Sequence, residues 1–464
     1  MISKFRSWAS DLSIHDLFEQ YQKKIISPVE VTQVFLEQIQ QSQKSLNAFI
    51  TISVEEALAQ ARLSEKRYIS GTPLGILDGI PYAAKDLIFT QNIPTTMGCS
   101  YYSHYLPKEN AAVIEILNNC GAILLGKTNT QQFAMGATGD RSFAGPTHNP
   151  YNYQKISGGS SSGSAAAVAA GLCTFALATD TGGSARVPAT LCGVIGMKPT
   201  YGRVSTRGVF PASISFDTMG IITRNATDNA LVLNAIAQYD PRSPLSLNLP
   251  PEDYTHMLNN SLKGTIIHIP YERVLGKTEP EIEKNFFSSI RLLESKGVVI
   301  REVEFPDYTS YREIRTQILF AEAYATHKEL YEKHPEVYDP DVVSDLENGK
   351  KISAVDYIRY QESNREFSIL FRNLMKPISI MAIPATSISA TDINFRGTVY
   401  VNGQPTNLYE ALSRFNWFTS MSGYPAVTFP NGFSQALPTG IQFVANRCCE
   451  SNLYHIIHCL EQLT

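Results

Sequence analysis

SGGSSSGSAAAVAAGLCTFALATDTGGSAR, from Ser157 to Arg186, is the stretch on which the reading of this chain turns. It opens as a serine–glycine loop and runs directly into the alanine block Ala165–Ala170, closed by Gly171. Alanine is the strongest helix former, and so small a side chain lets a helix lie close against other backbone. A strand-like piece, Thr174 to Ala178, leads into a second glycine turn, Asp180-Thr-Gly-Gly-Ser184. Two glycine–serine turns separated by a helix and a strand read as two sides of one site. A flexible linker has similar composition, but a linker is flanked by independent domains, not by a buried alanine helix.

Working outward, helical and strand patterns alternate. Ser13 with Asp16, and Ser27-Pro28-Val29-Glu30, are helix starts, the second a capping box with proline at the first helical position. Val31, Val34, Phe35 and Ile39 then share one helix face. Asn110–Asn119 reads as a helix ended by Gly121, and Ala122–Gly126 as a buried strand. Thr265–Ile269 and Gly297–Val303 are strands around a helix from Glu281 to Lys296. Pro425–Phe429 and Gly440–Ala445 are late strands before a closing helix from Ser451. Residues 310–375 differ: they are rich in charge, tyrosine and helix formers, which predicts a helical subregion covering one end of the sheet. The alternation predicts an α/β fold with helices packed over a buried sheet.

The 464 residues, 43% hydrophobic, are ample for a large core. Basic and acidic residues number 39 and 43, net −4, without the basic excess of a nucleic-acid footprint. Seven cysteines, an odd count with no Cys-x-x-Cys pair, argue against a disulfide framework and a cysteine zinc site. The start, MISKFRSWASDLS, lacks a signal-peptide apolar core. The run within Ala165–Ala178 is broken by Gly171 and is too short for a bilayer, which takes about 20 residues. The expectation is a soluble, cytoplasmic protein without membrane or direct nucleic-acid contact.

Three chemistries compete for the serine–glycine loop. Gly158 and Gly163 have Walker spacing, but Ser164-Ala165 stands where Lys-Ser/Thr is required. Gly159-Ser160-Ser161-Ser162-Gly163 matches the nucleophile elbow with Ser161 central. That elbow needs a buried strand before it, and Asn149–Ile156 is polar with an early proline. The nine histidines fit no hydrolase pattern. His455 and His458 have metal-binding spacing on the last helix but no third ligand, so neither a metal nor a cofactor is expected.

The third chemistry comes with a resemblance. Gly158-Gly-Ser-Ser-Ser-Gly-Ser164, the alanine stretch and Asp180-Thr-Gly-Gly-Ser-Ala-Arg186 resemble the amidase signature. The likeness extends through Pro188-Ala189, Cys192-Gly193 and Gly196-Met-Lys-Pro-Thr-Tyr-Gly-Arg203. Upstream, Gly75-Ile-Leu-Asp-Gly-Ile-Pro-Tyr-Ala-Ala-Lys-Asp86 is similar to that family's lysine motif, and Lys127-Thr-Asn-Thr130 and Phe133-Ala-Met-Gly136 also fit. The likeness is dense from Gly75 to Arg224. It implies a single domain over residues 1–464 with a large mixed sheet covered by helices on both faces. It implies Ser184 as nucleophile, Ser160 as bridging serine after a cis peptide bond, and Lys85 as base. The oxyanion hole would be Thr181, Gly182, Gly183 and Ser184, with Met135 and Gly136 beside the substrate. Ile221 stands where that family usually has proline.

These residue types suit amide hydrolysis. A serine hydroxyl attacks an amide only once a base takes its proton. Lysine, with an ordinary pKa of about 10.4, is a base near neutrality only if burial or a nearby positive charge lowers it. Arg186 is either such a charge or a structural ion-pair partner. Ser160 has one donor and two lone pairs, so it can relay a proton both ways.

The family contains free-standing amidases and the glutamine-hydrolysing A subunit of aminoacyl-tRNA amidotransferases. Members using glutamine hold its ammonium with an aspartate; counting back from Gly423-Tyr424-Pro425, that position is Ser413, with Glu410 nearby. The expected reaction is hydrolysis of a small-molecule carboxamide by a free-standing enzyme through an acyl-enzyme on Ser184. The role within an amidotransferase is the alternative. Oligomeric state is open, with a homodimer among the options.

Overall fold

The alanine block forms the helix Ser162–Ala169, every residue of which is buried. A computed structural model describes residues 6–464; the first five residues of the N-terminal stretch read above lie outside the described residues. The helix touches four strands of the central sheet. A Cβ on Gly163 would collide with the Ala48 carbonyl and the Asn129 N–H, so only glycine permits this approach. Ala170 caps the helix and Gly171 follows at φ +75°.

The chain is a single α/β domain around a mixed sheet of eleven strands flanked by helices. In chain order these are β1 Phe49–Ile52, β2 Pro81–Lys85, β3 Ile123–Thr128, β4 Phe175–Asp180, β5 Ile195–Lys198 and β6 Thr218–Thr223. Then come β7 Ile266–Ile269, β8 Val299–Glu302, β9 Ile380–Pro384, β10 Ala426–Ser434 and β11 Leu437–Ala445. Across the sheet they run β1-β3-β2-β4-β6-β5-β10-β11-β9-β7-β8. β2 is parallel to both β3 and β4, so Lys85 and the Asp180–Ser184 turn emerge at the same edge. β6 runs antiparallel to β4 and β5. Ile221 is an ordinary rung between Leu177 and Met197.

Both early capping boxes form, on Ile14–Gln22 and Pro28–Leu46. The expected helix at Asn110 begins instead at Ala112. Asn110 accepts the Gln91 N–H and Ala111 donates to the Phe89 carbonyl, which holds that corner outside the helix. The late strands are longer than the sequence suggested. Pro430 cannot donate to a ladder, yet β10 continues past it through a register shift between Pro430 and Gly432. Between Asp307 and Ile380 the chain contains the helices Thr309–Lys333, Pro340–Lys350 and Ala354–Met375, and no strand. The Glu322 carboxylate fastens the first of these by accepting hydrogen bonds from Ser213, Ser215, Tyr357 and Gln361. No described helix is long and apolar enough to cross a membrane.

Candidate active site

The apolar strand β2 carries Lys85 into the interior, where it is fully buried. Its Nζ donates to Ser160 Oγ and to Thr179 Oγ1, each at 2.7 Å. Among the described residues no carboxylate lies within ion-pair distance. Burial pulls the Lys85 ammonium from 10.5 down to about 7, against the opposing pull of Asp217 and Asp180. Lys127, at the end of neighbouring β3, is equally buried but sits 3.4 Å from Asp86 and donates to the Ile88 carbonyl and Thr95. The two lysines therefore differ in partner: hydroxyls for one, a carboxylate for the other.

Ser160 follows a cis Gly159–Ser160 peptide bond. Its carbonyl accepts the Gln131 N–H and the Thr130 hydroxyl, both at 3.1 Å, and Gly159 N–H donates to Ala137. The two glycine–serine turns are joined directly. Ser161 N–H donates to the Ser184 carbonyl at 3.1 Å, and Ser161 Oγ donates to the Thr179 carbonyl at 3.2 Å. Ser161 is thus a buried tie between the turns. The strand before it, Asn152–Ile156, belongs to a separate two-stranded ribbon, not to the sheet an elbow requires.

The second turn is built on Asp180. Its carboxylate accepts N–H groups from Gly183 at 2.9 Å and Ala185 at 3.2 Å and pairs with Arg186 at 2.8 Å. Burial pushes this carboxyl up, but Arg186, Lys198 and the Gly183 N–H together more than offset that, leaving it at about 2. Arg186 also bonds Thr419, Gln442 and the Asn416 carbonyl. It is a structural ion-pair partner, which settles the two options left open by the sequence. Gly183, at φ +119°, adopts a backbone that side chains rarely tolerate. Among the described residues, the N–H groups of Gly182 and Ser184 meet no protein acceptor.

Ser184 is half-buried, and its hydroxyl has no hydrogen-bond partner among the described residues. It lines a cavity of about 600 Å³ together with Gly159, Thr181, Gly182 and Gly183. Met135 and Gly136 line the same cavity. Arg315 adjoins the serine turn, donating to the Thr181 carbonyl at 2.8 Å, and the rest of the lining brings Arg312, Asp341 and Asp345 from the 309–350 helices, with Arg396, Glu410 and Ser413. Ser413 donates to the Tyr409 carbonyl at 2.7 Å, and Glu410 is held by Arg312 at 2.9 Å and Arg414 at 3.1 Å. His455 contacts the Asn260 carbonyl, and no described group of three His, Cys, Asp or Glu residues is placed to hold a metal.

Sequence reasoning missed Thr179, Asp217 and Arg315. Thr179 offered a signal: it is a polar residue closing an apolar strand. Asp217 accepts the Thr181 hydroxyl at 2.6 Å and the Ala212 and Ser213 N–H groups. Burial raises its carboxyl to about 6 against those bonds. Neither Asp217 nor Arg315 belongs to any motif, so no local pattern announced them.

The architecture is shared with solved structures, an acylamidase among them. A bacterial aryl acylamidase of the amidase signature enzymes superposes with TM-score 0.90 at 25% identity, covering 98% of this chain and 96% of that one. A chain from a vestigial protein complex, described as revealing the origins of an s-triazine catabolic enzyme, superposes with TM-score 0.92 at 29% identity, covering 97% and 98%. The fold and site define the class, an enzyme that hydrolyses amide C–N bonds. The amidase family model matches residues 30–454, and the chain belongs to the amidase family. The A subunit of glutamyl-tRNA(Gln) amidotransferase from Vesicomyosocius okutanii is 35% identical over 472 residues, 96% of each chain.

Proposed function

We propose that the chain hydrolyses a carboxamide through an acyl-enzyme on Ser184, with Ser160 as proton relay and Lys85 as base. One observation carries this reading: a fully buried lysine whose two hydrogen bonds go to hydroxyls, one of them Ser160. A lysine with no carboxylate partner can lose its proton near neutrality and accept another. In the forward step Ser184 Oγ attacks the carbonyl, its proton passing through Ser160 to Lys85. The reverse relay protonates the departing nitrogen, and water then cleaves the ester. Hydrogen bonds between catalytic groups often tighten only once substrate is bound. The free Ser184 hydroxyl is therefore compatible with the relay.

The oxyanion hole is proposed within Thr181–Ser184. Gly183 N–H is occupied by Asp180, so Gly183 shapes the turn while the Gly182 and Ser184 N–H groups receive the charge. Each such donor is worth about 3 kcal/mol in enzymes where one was removed. Met135 and Gly136 are proposed as part of the acyl-side wall.

Two versions of this function differ in the fate of the ammonia. The curated relatives favour the amidotransferase version, with glutamine as donor and partner chains required, over the free-standing amidase put first by the sequence. One observation favours the free-standing version. Ser413 places no carboxylate where the glutamine-using members hold the ammonium, and nearby Glu410 is already bound by two arginines. The test is ammonia release from a panel of primary amides, including glutamine, by the purified chain beside Ser184→Ala. Turnover by the chain alone, lost in Ser184→Ala, supports the free-standing enzyme. Silence alone, with glutamine turnover restored by copurifying partners, supports the amidotransferase role. Turnover that survives Ser184→Ala sinks the mechanism.

A further inference from the structure

A second cavity, of about 230 Å³, lies beside the catalytic one, and the proposed reaction makes no use of it. It sits outside the carboxyl ends of three parallel strands, the place where open α/β sheets take ligands. Pro270 follows β7, Phe305 follows β8 and Ile383 stands near the end of β9, and all three line it. Its other sides come from the start of the helix Thr309–Lys333 and from the helices Leu408–Ser413 and Trp417–Ser422. Arg312, Glu410 and Trp417 line both cavities and so form the partition between them.

The walls are aromatic and the rim is cationic. Phe305, Tyr308, Phe415, Trp417 and Phe418 supply the walls, each no more than 8% exposed. They brace one another: the Phe305 ring centre lies 5.4 Å from those of both Tyr308 and Phe418. The rim carries four cations, Arg273, Lys277, Arg312 and Arg414, against a single lining carboxylate, Glu410. Arg312 at 2.9 Å and Arg414 at 3.1 Å share that carboxylate, so two guanidiniums hold one negative charge. Arg273 donates to the Pro306 carbonyl at 2.7 Å and reaches only Asp307, at 3.3 Å, whose carboxylate is largely in water. Its guanidinium lies 5.7 Å from the centre of the Phe305 ring. Lys277 is exposed and pairs with no carboxylate among the described residues.

This combination selects one ligand chemistry. Aromatic walls favour a planar ring, and arginine both matches a carboxylate and stacks on a ring. An apolar cavity of about 150 Å³ accepts benzene, so the larger one here has room for a substituted ring or a fused pair. We infer that the second cavity binds a planar aromatic anion of one or two rings, its ring against the aromatic walls and its negative group at Arg273, Lys277 and Arg414. The ligand is separate from the amide being cleaved, because the partition stands between it and Ser184. The site does not depend on the hydrolytic reading.

The experiment titrates the full chain by calorimetry with α-naphthoate, with the uncharged α-naphthylmethanol and with the non-aromatic anion cyclohexanecarboxylate. α-Naphthoate is expected to bind one site per chain, at least about tenfold more tightly than the alcohol, the worth of a charged hydrogen bond. It should also bind a few-fold more tightly than cyclohexanecarboxylate, the worth of aromatic stacking. Arg273 and Lys277 line the second cavity and not the catalytic one. Arg273→Met with Lys277→Met is expected to erase the preference for the anion while leaving the alcohol bound. Lys277→Met alone, at an exposed position that leaves the fold intact, is expected to remove part of it. Arg315→Met, in the catalytic cavity only, is expected to leave it unchanged. The inference is overturned if α-naphthoate does not bind, if it binds no more tightly than the alcohol, or if its preference survives both cation variants. Loss of the preference in Arg315→Met also overturns it, because the anion would then lie in the catalytic cavity.

Discussion

The two walls of the cavity are built by opposite means. The serine wall comes from the loop before the Ser162–Ala169 helix and the turn after β4, backed by Lys85 at the end of β2, and its polar groups are mostly buried hydroxyls and backbone N–H groups. The helical wall comes from residues 312 to 417, well separated in sequence, and its polar groups are mostly charges bound to one another. Hydroxyls and peptide groups in a dry site can pass protons and receive developing charge without first breaking an ion pair. Paired charges on a solvent-reaching wall shape and select. The difference teaches that changes to the first wall should strike kcat and changes to the second should strike KM.

Ser184→Ala should show the largest effect, a loss of turnover of at least about 1,000-fold with the melting temperature little changed. Retention of most of kcat would break the division at once. Lys85→Ala should come next, at about 100-fold or more, and Ser184→Ala with Lys85→Ala should be little worse than either alone. The pH profile sharpens the same point. With Lys85 at about 7, kcat/KM should rise from acid pH, reach half its maximum near there and level off above. A rise that continues toward the ordinary lysine value would mean that Lys85 is not the depressed base.

Lys127→Met separates Lys127 from Lys85 by stability. It leaves Asp86 buried without its cation, so folding should weaken by about 3–5 kcal/mol in chemical denaturation. Activity per folded molecule should survive. Ser161→Ala should cost about 1 kcal/mol of stability from its lost hydrogen bonds and keep most turnover. The smallest effect belongs to the helical wall. Glu410→Gln loosens a half-exposed pair, so KM should shift by no more than a few-fold at constant kcat.

The same division decides what the sequence could reveal. The serine wall was legible because its geometry is local: glycines mark the turns, an alanine run marks the close helix, and apolar β2 points to Lys85. The strands and helices that were read from their periodicity fall within a residue or two at most ends, but β1, β5, β6, β9 and the helix Val54–Ser70 went unread. The order of strands was not legible either. Nothing local to Ile195–Lys198 says that it lies between β6 and β10, because pairing between distant strands is set by packing over the whole sheet. Arg315 was invisible for a related reason. On its own helix it is one more basic residue, and only the third dimension shows it buried beside Thr181 without a counter-ion.

The most direct test of the central claim is labelling with an alkyl fluorophosphonate, which bonds to an activated serine without any knowledge of the substrate. The purified chain is treated across a pH series, digested, and the modified serine located by mass spectrometry. The account predicts a single adduct on Ser184, formed faster as pH rises through about 7 and abolished by Lys85→Ala. An adduct on Ser161, or labelling of Ser184 that ignores both pH and Lys85, would contradict it.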